Sequence, residues 1–126
     1  MKYETTFSEM SSIFALVATA EEKVEKYIFS ETVYSEKCDA YNKSGYNIEK
    51  GHEMCDAYDS MEKARKGMRN SFKKLIAAFG VYDTDERFRS YEDQNLMDLA
   101  KRDYEPYRFL GAAKREAVRL AKYITI

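Results

Sequence analysis

The stretch Cys38-Asp39-Ala40-Tyr41-Asn42-Lys43-Ser44-Gly45-Tyr46-Asn47-Ile48-Glu49-Lys50-Gly51-His52-Glu53-Met54-Cys55-Asp56-Ala57-Tyr58 decides the fold. The same four residues, Cys-Asp-Ala-Tyr, stand at both ends of a short polar segment. Within it, Gly45 can take the left-handed backbone that ends a helix, and the Asn47 side chain can cap the next one. Residues 42–47 therefore read as a hairpin tip.

Upstream of the tip, Met10, Ile13, Val17, Ala20, Val24 and Tyr27 alternate three and four apart, and Glu31, Tyr34, Cys38 and Tyr41 continue the register. This is a heptad-like seam with one polar break. Thr6 and Glu9 have the spacing of a capping box. The pattern predicts a helix over about 7–43, roughly 55 Å long at 1.5 Å per residue. Ser30-Glu31-Thr32-Val33 propagates a helix least well and marks where a kink would fall.

Downstream, Gly51, Met54, Tyr58, Met61, Arg65, Met68, Phe72, Leu75 and Phe79 form a second seam, ended by Gly80. A helix over about 48–79 must lie antiparallel to the first. With the tip at Gly45 and Tyr46, facing residues have numbers summing to about 92. Tyr41 then meets Gly51, Cys38 meets Met54, Tyr34 meets Tyr58, Ala20 meets Phe72, Val17 meets Leu75 and Ile13 meets Phe79. Several of these pairs set a large residue against a small one, as close packing asks.

Beyond Gly80, Asp83-Thr84-Asp85-Glu86 can cap a short helix over about 84–91 that turns Phe88 inward. Leu96, Leu99 and Ala100 share a face of a helix over about 94–104. Pro106 kinks or interrupts the helix or sits in the first turn of a new one, and Leu110, Ala113, Ala117, Leu120 and Ile124 line a last helix over about 107–124. Laid along the hairpin groove, these segments complete a three- or four-helix bundle. The expectation is an all-α chain with a single domain over residues 1–126. One proline and five glycines supply too few turns for a many-stranded sheet.

Two cysteines do not make a disulfide framework, and no basic leader precedes an apolar run. The longest apolar run, Ile13 to Ala18, is far short of the roughly 20 residues that span a bilayer. A cytoplasmic protein without a membrane partner is expected. Cys38, His52 and Cys55 are the candidate metal ligands, since thiolate and imidazole suit zinc. They lack paired C-x-x-C spacing, and buried cysteines are more often packing residues. Glu49 and His52 have the E-x-x-H spacing of di-iron bundles, but such a site needs two motifs and two further glutamates. One histidine leaves little for a hydrolase, and no phosphate-binding or nucleophile-elbow motif is present. No enzyme, cofactor or metal is expected.

Charge is distributed unevenly. Residues 1–60 hold twelve acids and six bases, whereas residues 61–75 hold one acid and six bases. Folded as a hairpin, the tip is acidic and the opposite half basic. Lys66, Arg69 and Lys73 share a stripe, and Lys101, Arg108, Arg115 and Lys122 are spaced by seven, with Arg119 a turn from two of them. Nucleic-acid binding through these residues is one reading. Local acids paired with many of them support a solvated surface instead.

Eleven tyrosines and no tryptophan are the other excess. Tyrosine anchors protein interfaces at low entropic cost. The leading expectation is therefore a small non-catalytic helical protein acting by protein–protein interaction as an adaptor, assembly subunit or inhibitor. Tyr34, Tyr41, Tyr46, Asp56 and Asp59 are its candidate partner-binding residues. Long seams on a slim bundle also leave apolar surface for self-association.

Overall fold

A computed structural model describes residues 4–82 and 96–124. Four helices are present among the described residues: α1 (Phe7–Lys43), α2 (Ile48–Phe79), α3 (Leu96–Leu99) and α4 (Pro106–Ala121). The expected helix over 84–91, with Phe88, lies outside the described residues.

The hairpin forms at the expected boundaries because each end carries its own stop or start. Thr6 caps α1, its hydroxyl accepting from the Glu9 N–H at 3.1 Å. Asn47 caps α2 by accepting from the Lys50 N–H at 3.1 Å. Both satisfy donors that the first helical turn leaves open. α1 is continuous through Ser30-Glu31-Thr32-Val33. The Ser30 hydroxyl donates to the Lys26 carbonyl at 2.9 Å and the Thr32 hydroxyl to the Ile28 carbonyl at 3.1 Å. These hydroxyls bond one turn back to helix carbonyls, and α1 continues through them.

The seam register is the predicted one. The Tyr34 and Tyr58 rings pack edge to face with centroids 5.4 Å apart. A Cβ placed on Gly51 would stand 3.1 Å from the Tyr41 ring, so this glycine is what lets the ring lie flat against α2. Glu31, the polar break, is matched by Arg65 of the facing seam. The Tyr27 hydroxyl donates to Glu31 at 3.0 Å and accepts from the Arg65 guanidinium at 3.4 Å, while the guanidinium lies 5.5 Å from the Tyr27 ring centroid.

Two expectations need correction. The helix predicted over 94–104 ends at Leu99 and is continued by turns in which Lys101, Arg102 and Glu105 N–H groups donate to residues three back. The residue before a proline is pushed out of the α region, and Glu105 sits at φ −133° and ψ 50°. Pro106 then opens α4 at the first helical position, where its missing N–H costs nothing. Lys101 consequently lies on a turn, and the seven-residue basic stripe does not run on from it.

α4 packs onto the half of the hairpin away from the tip. Phe109 stacks on Phe72 at 3.9 Å, and Leu110, Ala112, Ala113, Ala117 and Leu120 join the core built by Met10 to Tyr27 of α1 and Met61 to Phe79 of α2. The alanines let the helices approach closely. Near the same end, the Thr5 N–H donates to the Tyr123 carbonyl at 3.1 Å, and Thr5 pairs with Ile124 in an isolated parallel bridge. The buried Tyr82 hydroxyl donates to Glu9 and lies 3.1 Å from the Thr5 hydroxyl.

Truncating the stacked pair tests this packing. Phe109→Ala should cost about 3–5 kcal/mol and lower the Tm by many degrees. A near-neutral melt would mean that α4 does not seal the core. Glu116 tests the burial of α4 differently. It is 1% exposed, and burial raises its carboxyl to about 8, against the pull of Arg119 and Arg115. Because the folded pKa lies above the ordinary value of 4.5, the folded chain keeps a proton that the unfolded chain releases. The contribution is full below about pH 4.5 and fades as pH climbs to about 8. Glu116→Gln should flatten that part of the Tm–pH profile; a parallel profile would show that Glu116 does not titrate there.

Candidate interaction surface

No described helix packs over the distal half of the hairpin. Along α1 the last buried residue is Tyr27, and along α2 the first is Ala57. Residues 28–56 between these levels carry six acids and three lysines. Two helices alone cannot enclose their seam, so its side chains remain partly in water.

The tip itself is tightly ordered. Gly45 and Tyr46 both take left-handed backbone, with φ of 70° and 68°. The Tyr46 N–H donates to the Tyr41 carbonyl at 3.3 Å, and the Ser44 hydroxyl donates to the same carbonyl at 2.7 Å while accepting from the Asn47 N–H at 3.1 Å. This turn carries the Tyr46 ring back against Tyr41, edge to face at 5.5 Å.

The predicted partner-binding residues divide by environment. Tyr34 and Tyr41 are half-buried in the seam. Tyr46 is 71% exposed, and Asp56 and Asp59 are exposed. The Cys38 side chain, hydrogen-bonded to Tyr34 and electrostatically opposed to its ionisation, holds the Tyr34 phenol above the ordinary value of 10.0. Sequence reasoning missed Phe29 and Ile48, which are 69% and 75% exposed. Their signal was their position: both are large and apolar, yet neither belongs to a seam.

Cys38 is half-buried, Cys55 and His52 are exposed, and both cysteines are free thiols. Among the described residues no three His, Cys, Asp or Glu side chains converge as metal ligands would.

The basic residues are spread over several elements and partly engaged. Arg69 forks onto Asp103, its Nε at 3.1 Å from Oδ1. Arg108 reaches Glu105 at 3.3 Å and Arg119 reaches Glu116 at 3.5 Å. Lys66 and Lys73 are exposed on α2, Arg115 on α4, Lys101 on the turn after α3 and Lys122 at the α4 C-cap. No helix among the described residues is long and apolar enough to cross a membrane.

Comparison with family models, with curated proteins and with solved structures finds no match to this chain.

The Tyr34–Tyr58 contact can be weighed by a double-mutant cycle. Single changes to alanine should each speed amide exchange in the distal half, with a coupling of about 0.5–1.5 kcal/mol between them. Strict additivity would place the rings in different surroundings.

Proposed function

We propose that this chain is a non-catalytic helical protein that works by binding another protein through the tip half of its hairpin. The observation that carries this reading is the exposure of Phe29, Tyr46 and Ile48 on a half-rod that no described helix covers. Large apolar side chains exposed among acids have the composition of an interface whose partner supplies cover; Phe7, Met97, Tyr104 and Tyr107 are exposed on the other half as well. The caps on Asn47 and Ser44 hold that surface in one conformation, so a partner loses less entropy in binding it. Adaptor, assembly subunit and inhibitor are all roles that such a surface would serve.

A second reading keeps nucleic acid as the partner of Lys66, Lys73, Lys101, Arg115 and Lys122, which are exposed and have no ion pair among the described residues. Its weakness is that Arg69 and Arg108 are drawn into pairs with Asp103 and Glu105. Retention on a polyanion that falls steeply with salt would favour it over the tip reading.

The tip reading is tested by comparing affinity capture from the native host with wild-type protein and with a Tyr46→Ala, Ile48→Ala double variant. Both substitutions are at exposed positions, so Tm should hold. The partner captured by wild type should bind the variant at least tenfold more weakly, the loss of roughly 1.4 kcal/mol or more expected of interface anchors. An identical set of captured proteins at equal affinity would overturn the reading.

A further inference from the structure

On the side of the hairpin turned away from α4, one groove runs between α1 and α2. Its segments share Lys23 with Gly67 at one junction and Ser30 with Ser60 at the next, so it is continuous from Leu16 and Lys74 to Lys37 and Glu53. At about 100° per residue, Lys23 lies some 160° around α1 from Glu21, the residue that takes Lys114 from α4 at 3.1 Å. The groove and α4 therefore occupy opposite flanks.

The floor is made of small residues: Ala57, Ser60, Ala64, Gly67 and Ser71. Phe29, 69% exposed, stands on its rim. The two ends differ in charge. Lys23, Lys26, Lys63 and Lys74 line one end, and none has an ion-pair partner among the described residues. Glu53 and Asp56 line the other, where Glu53 also holds Lys37 at 3.5 Å.

We propose that this groove is the interface of a two-fold homodimer, in which a second copy lies antiparallel and the two hairpins form a four-helix bundle. The seam pairs Tyr27–Arg65 and Tyr34–Tyr58 fix the level of α2 against α1. Lys74 then lies beside Thr19, Phe29 near the level of Ala64, and Asp56 near the level of Lys37. A two-fold axis through the groove at the Phe29–Ala64 level reverses this order. Such an axis sets α1 on α1 and α2 on α2 of the mate, so Glu53 of one copy comes over Lys74 of the other, Asp56 lies across the groove from Lys23 of the other, and the two Phe29 side chains meet at the axis. An apolar side chain meets its own copy and acid meets base, twice over, as an isologous interface requires.

The area is also sufficient. Leu16 to Lys37 spans about 32 Å of helix, and two packed helices present a face roughly 20 Å wide. Pairing two such faces buries on the order of 1,200 Å² or slightly more, the lower end of stable specific interfaces. The same pairing brings Lys26 of one copy near Lys63 of the other, a like-charge contact at the centre. That cost gives the proposal its sharpest consequence, because reversing one of the two charges should tighten the dimer.

This inference does not depend on the tip reading. An antiparallel dimer leaves Tyr46 and Ile48 exposed at both ends of the rod, so tip capture and dimerisation succeed or fail separately. It does take Phe29 and Asp56 from the tip surface and give them to the groove, leaving Tyr46 and Ile48 to carry the tip reading.

Sedimentation velocity and light scattering across a broad micromolar range test it. Wild type should shift from monomer to dimer with concentration. Phe29→Glu should weaken association at least tenfold at unchanged helicity, since the side chain is exposed. Asp56→Lys and Lys23→Glu should each weaken it several-fold, and their combination should restore it. Lys26→Glu should strengthen it several-fold, whereas a groove built for an acidic partner would gain nothing in self-association from that change. A monomer at every concentration overturns the proposal. So does a dimer indifferent to Phe29→Glu, a charge swap that fails to rescue, or weaker association on Lys26→Glu.

Discussion

A difference in length governs this structure. α1 has 37 residues and α4 has 16, or about 55 Å against about 24 Å at 1.5 Å per residue. The third helix of the bundle can therefore cover less than half of the hairpin. Everything fully buried, from Met10 to Tyr27 on α1 and from Ala57 to Phe79 on α2, lies at or close to the covered stretch. The rest must hold together as a two-helix seam, which encloses half-buried tyrosines and cysteine rather than leucine and valine. Tyrosine suits such a seam because its ring packs while its hydroxyl reaches water.

The boundary between the two regimes is a polar layer. Arg65 reaches Tyr27 and Glu62 and stands 3.6 Å from Asp103, and Tyr27 in turn holds Glu31. The Arg65 guanidinium is held above its ordinary pKa, chiefly by the bond to Tyr27. Partly solvated ion pairs contribute little to stability by themselves. Their value here is geometric. A guanidinium fixed among these partners fits at one level of the hairpin, so the layer discourages sliding of α2 along α1, much as a polar seam residue sets register in a coiled coil. Asp103 also takes Arg69, tying the turn before α4 to the same level.

The hairpin was legible in the sequence because its signals are local or strictly periodic. Gly45 and Asn47 mark the tip, and the two seams agree on one register only when folded about it. The pairing of Glu31 with the Tyr27–Arg65 layer lay in that register too, since Arg65 faces Tyr27 in it. Pro106 was visible as an interruption, but its effect on the preceding turn was not, and Lys101 was read onto a helical stripe that stops short of it. The unpaired lysines of the groove were missed for a different reason. Which lysines remain without partners depends on which flank α4 covers, and α4 takes Lys114 to Glu21 on one side while leaving Lys23 and Lys26 on the other. No spacing along one helix encodes that choice. Phe29 and Ile48 fall outside both seams, so no periodic signal marks them, and their exposure follows from that position.

The tip adds a separate physical argument. A non-glycine residue with left-handed backbone is uncommon, and asparagine or glycine would occupy that position at lower energy than tyrosine. Tyr46 sits there at φ 68°. The turn compensates with the bond from its N–H to Tyr41 and with the Tyr41 ring against its own. Gly51 in turn makes room for Tyr41 on α2. The strain at Tyr46 is thus supported by at least three neighbouring features, yet the ring it positions remains mostly in water. Core stability alone does not require an aromatic side chain at that point. Backbone strain that the surroundings hold in place, with an exposed apolar ring as its result, is the pattern expected of a residue kept for contact with something outside the chain.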